Sequence, residues 1–90
     1  MEIQNTFPLS LEQFNTLVDL IERNKEEIIK ENEEFKNLSS EQILTRCTIS
    51  NHGNLGHSPR EVKINLYYPN KLPTIVREYV IKNFGVKFIA

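Results

Sequence analysis

Ninety residues, 39% apolar and 26% charged, describe one globular domain, too short for a second core and too apolar for a disordered chain. A lone cysteine, Cys47, excludes an internal disulfide framework, and no apolar run approaches the ~20 residues that a membrane helix needs. The net charge of −1 hides a division: residues 1–42 carry ten acidic against four basic side chains, and residues 43–90 carry two against seven. The halves either neutralise each other, within the fold or across a dimer, or one of them presents its charge to a partner.

The chain opens on Met1-Glu2-Ile3-Gln4-Asn5, without a basic, apolar leader pattern, so a cytoplasmic location is expected. The first helix begins with Ser10 and Gln13 as a capping box and with Leu9 and Phe14 as a hydrophobic staple. No Pro or Gly interrupts from Leu11 to Lys36. Read as heptads, the a positions are Leu11, Val18, Lys25 and Asn32, and the d positions are Phe14, Ile21, Ile28 and Phe35. A helix of that length spans about 40 Å at 1.5 Å per residue, more than so small a domain can cover. The expectation is a homodimer through this helix, with Lys25 and Asn32 setting register. The alternative is a bend near Asn24 that folds the stripe back into one chain.

Leu38-Ser39-Ser40-Glu41-Gln42-Ile43 repeats the start signal of the first helix. A turn of helix from Ser40 is expected to pass into a strand at about 44–50, because Thr45, Cys47, Thr48 and Ile49 favour extended chain. Gly53, Gly56 and Pro59 mark residues 51–60 as a loop. Residues 61–68 alternate, with Val62, Ile64, Leu66 and Tyr68 on one face and Lys63, Asn65 and Tyr67 on the other, which predicts a half-buried strand paired antiparallel with the first. Pro69 to Pro73 breaks the chain. A helix follows over Thr74–Phe84, burying Ile75, Val76, Tyr79, Val80 and Phe84, with Gly85 as its stop. Val86–Ile89 completes the pattern as a short final strand. The predicted class is α+β, in the order α-β-β-α-β.

Three kinds of chemistry are conceivable around the loop. Cys47, His52, His57 and Glu61 are zinc-ligand types, but a C-x4-H-x4-H spacing matches no standard zinc signature, and a Cys facing the core is a small hydrophobe. His52 and His57 with Arg60 and Lys63 have the residue types of a phosphodiester-cleaving pair, yet histidine is also common in turns. His52, Asn54, His57, Ser58 and Arg60 form a candidate loop for a phosphate or nucleotide ligand, although no phosphate-binding G-x4-G-K-[ST] is present. The basic half, with Tyr67 and Tyr68 as stacking platforms, extends that reading to nucleic acid. No catalytic residue, metal site or cofactor is assigned, and the balance of features favours a protein that is not an enzyme.

In size, charge segregation and lack of a catalytic signature the chain resembles phage-encoded host-takeover proteins, immunity proteins and antitoxins, a likeness of composition alone. Such a likeness implies a non-catalytic module or inhibitor that occupies a protein surface. The residues expected to carry it are Ile28 and Phe35 as apolar anchors, flanked by Glu26, Glu27, Glu33 and Glu34. A phosphate, nucleotide or nucleic-acid binder using the 51–60 loop and the basic half is the second reading.

Overall fold

The computed structural model describes residues 5–51 and 61–89. Helix α1, Leu11–Arg23, starts at the expected capping box: Ser10 Oγ accepts the Gln13 N–H at 3.1 Å, and Gln13 Oε1 accepts the Ser10 N–H at 2.9 Å. It buries Leu17 and Ile21. The bend then falls where the alternative reading placed it. Asn24 leaves helical geometry (φ −117°, ψ 24°), its N–H shared between the Leu20 and Ile21 carbonyls at 3.2 Å and its Nδ2 donating to Leu20 O at 2.8 Å. These bonds satisfy the end of α1 while the chain changes direction.

Helix α2, Lys25–Glu31, buries Ile28. Asn32 is extended at φ −148°, and its Oδ1 accepts the Glu34 N–H at 3.1 Å, opening a 3-10 turn over Glu33–Phe35 that buries Phe35. A straight helix over 26 residues, about 39 Å at 1.5 Å per residue, would equal the 41 Å longest extent of the molecule. Two direction changes bring the same residues onto the shared core instead.

The second capping box is also in place, Ser39 Oγ accepting the Gln42 N–H at 3.1 Å and Gln42 Oε1 accepting the Ser39 N–H at 2.9 Å. It starts helix α3, Ser40–Cys47, which overturns the strand expected at 44–50 and leaves only β2, Ile49–Asn51. Burial decides this. Ser40, Ile43, Leu44 and Cys47 stand at i, i+3, i+4 and i+7 and are all buried, so the helical period outweighs the strand propensity of Thr45 and Thr48. The hydroxyls of those two threonines donate back to the Gln42 and Leu44 carbonyls at 3.1 and 2.7 Å.

The sheet is antiparallel, in the order β1-β3-β2. Its centre is β3, Glu61–Asn65, and β1 is Thr6–Pro8, a strand that the sequence reading did not foresee. Phe7 lies opposite Ile64, and Ile49 and Pro8 flank Lys63 from either side. Val62 and Ile64 are buried, as the alternation implied. Pro8 sits in an edge strand, where a missing N–H costs least. The expected strand to residue 68 ends at Asn65 because that residue makes a turn: its Oδ1 accepts the Tyr67 N–H at 2.9 Å and its carbonyl the Tyr68 N–H at 3.3 Å. Tyr68 thus leaves the buried face to which the alternation assigned it.

Helix α4, Thr74–Phe84, buries Val76 and Val80 and stops at Gly85, whose φ of 70° suits a residue without Cβ. The turn returns Val86 to the core. Val86–Ile89 does not form the expected final strand, although the Ile89 N–H donates to Leu66 O at 2.9 Å. Leu17, Ile21, Ile28, Phe35, Ile43, Ile64 and Val80 belong to one core cluster, so α1 to α4, the 3-10 turn and β3 share it. The architecture is mixed helix and strand, mostly helical, with more helices and a different strand set from the predicted α-β-β-α-β order.

Candidate functional site

An acidic stretch of surface is built by α2 and the turn after it. Glu26 and Glu27 lie in the first turn of α2, and Glu33 and Glu34 open the 3-10 turn; all four are exposed. Carboxylates at a helix start are favoured by the partial positive charge of its unpaired N–H groups. Local structure therefore explains part of this acidity without any ligand. Two neighbouring acids serve the fold directly. Glu22 Oε2 accepts the Ser40 hydroxyl at 2.6 Å, tying α1 to α3. Asp19 pairs with Arg23 one helical turn on.

Glu31 makes the longest-range polar contact of this surface. Its Oε1 accepts the Thr74 N–H at 2.9 Å and its Oε2 the Thr74 hydroxyl at 2.6 Å, across 43 residues of chain. The N-cap of α4 is Pro73, which supplies no side-chain acceptor, so a carboxylate from α2 takes that role. The two Thr74 bonds hold the Glu31 carboxyl below its ordinary range, helped by the nearby Arg77 charge. Arg77 in turn donates to Asn70 Oδ1 at 3.1 Å. The sequence reading missed this bond; the available signal was a helix beginning Pro73-Thr74 with no capping side chain of its own.

Of the six residues expected at a partner surface, the structure keeps four outside. Ile28 is 2% and Phe35 6% exposed, both within the core cluster. They cannot act as exposed anchors. The same burial takes Ile21, Ile28 and Phe35 out of the proposed dimer seam, so the d row is the inner face of one chain, and self-association has to use another surface. A shallow groove between α1 and α3 carries partly apolar ground, with half-buried Val18 among Asp19, Glu22, Lys25, Ser39 and Glu41.

No match to this chain is found among protein-family models, curated proteins or solved structures.

His52, Asn54, His57, Ser58 and Arg60 lie outside the described residues, as does the side chain of Glu61. Cys47 is described, and it is a core residue. It is 5% exposed, its Sγ donates to Ile43 O at 2.8 Å, and burial pushes its thiol up to about 12. The thiol is turned inward as a small core hydrophobe, with its S–H bonded to the Ile43 carbonyl. Among the described residues no group of three or more His, Cys, Asp or Glu is placed to hold a metal, and no helix is long and apolar enough to cross a membrane.

Proposed function

We propose that this protein is a non-catalytic binding module whose acidic α2 surface docks on a basic surface of a protein partner. One observation carries the reading: folding buries Ile28 and Phe35 and leaves Glu26, Glu27, Glu33 and Glu34 exposed to solvent. Recognition there is electrostatic, with association fast and sensitive to salt and with little apolar burial. Half-buried Val18 and the α1–α3 groove add a shape that a partner can grip.

The test is capture of proteins by the tagged chain, identified by mass spectrometry, beside a variant carrying Glu26→Gln, Glu27→Gln, Glu33→Gln and Glu34→Gln. Glutamine keeps side-chain size and removes only charge. The expected result is a basic partner retained by wild type, released at about 0.5 M salt, where screening lengths fall to a few ångströms, and lost from the variant. Equal capture by both proteins refutes the reading. Light scattering in parallel reports whether the captured partner is a second copy of the chain.

A further inference from the structure

The most exposed aromatic side chains lie in the turn after β3. Asn65 turns the chain out of β3 and puts Tyr67 and Tyr68 into solvent, 41% and 56% exposed. Lys71 Nζ stands 5.5 Å from the centre of the Tyr68 ring. Arg77 reaches the same turn through its bond to Asn70, and the Ile89 N–H bond to Leu66 brings residues 87–89, with exposed Lys87 and Ile89, alongside. Two exposed aromatic rings and two cations, Lys71 and Arg77, thus stand at one turn.

Nothing in the fold requires this composition. Strand β3 ends at Asn65 and Leu66 packs against the core, yet the next two residues, Tyr67 and Tyr68, are aromatic and stand exposed outside it. We infer that the Tyr67–Lys71 turn is a stacking surface for single-stranded nucleic acid. Flat rings offer any base a π-face, and lysines hold phosphate as point charges without demanding a fixed geometry. An acidic peptide fits less well. It would meet the cations alone and leave both exposed rings without a stacked base.

Fluorescence anisotropy with labelled oligonucleotides of about 10 residues, within the reach of a single small domain, tests the inference. Single-stranded DNA and RNA are compared with a duplex of the same sequence and with a polyglutamate peptide. Expected are saturable binding to single strands ahead of duplex, a steep fall with salt, and quenching of tyrosine fluorescence, which no tryptophan obscures in this chain. Tyr67→Ala and Tyr68→Ala should each weaken binding roughly fivefold or more, as loss of one base stack does. Tyr68→Phe should keep affinity, and Lys71→Ala should lower the salt dependence. Circular dichroism on each variant confirms retained fold. Absence of single-strand binding, binding indifferent to both tyrosines, or preference for polyglutamate overturns the proposal.

Discussion

The cap that α2 places on α4 is the contact most open to a decisive perturbation. In Glu31→Ala the Thr74 N–H and hydroxyl lose their acceptor. Both groups are near solvent, so water replaces the carboxylate in part, and the cost belongs with lost N-caps, about 0.5–2 kcal/mol. For a chain this short that corresponds to a melting temperature lower by roughly 3–12 °C, taking about 4–8 °C per kcal/mol and the middle of that range. The effect depends on pH with a defined sign. The folded carboxyl titrates below the ordinary value of 4.5, so its stabilisation is fully present above that value and is lost as pH falls through the lower, folded one. Thermal melts of wild type and variant at neutral pH and at about pH 3, where the unfolded carboxyl is largely protonated, should therefore converge on acidification. Thr74→Ala should add little to Glu31→Ala, since both remove one contact. A neutral-pH difference under a degree, or a difference of the same size at both pH values, would refute the assignment.

Two further outcomes follow from the core. Ile64→Ala and Ile28→Ala should each cost about 2–5 kcal/mol in denaturant unfolding, because both side chains are nearly inaccessible; a cost under half a kcal/mol at Ile28 would restore it as a surface anchor. Cys47 should resist a thiol-specific reagent in the native protein and react at one equivalent in denaturant, its thiol being both covered and pushed up to about 12. Rapid native labelling would contradict the placement of α3.

Local signals in this chain were legible wherever they act within a few residues. Both capping boxes, the glycine stop of α4 and the inward Val62 and Ile64 are features of this kind. They depend on backbone groups and side chains three or four positions apart, which the sequence displays directly. In α3 the local signals conflicted, and the i, i+3, i+4, i+7 spacing from Ser40 to Cys47 was readable but weighed less than the β-branched residues.

Of the candidate site, the four glutamates are exposed, while their apolar companions Ile28 and Phe35 are buried. The heptad pattern of residues 11–35 fits a straight helix sharing its stripe with another chain equally well as a bent one covering its own core. The tertiary structure chose the second. Faces of α3, α4 and β3 lie close enough to bury Ile28 and Phe35, and Asn24 ends one helix by donating to the Leu20 and Ile21 carbonyls and begins the next by accepting the Ile28 N–H. The same reason accounts for β1 and for the Glu31–Thr74 cap. Thr6–Pro8 is a strand because β3 offers it an edge, and Glu31 is an acceptor because α2 ends beside Thr74. Composition and spacing alone determined where elements begin and which residues prefer the interior; the meeting of distant segments decided which of those preferences could be satisfied at once.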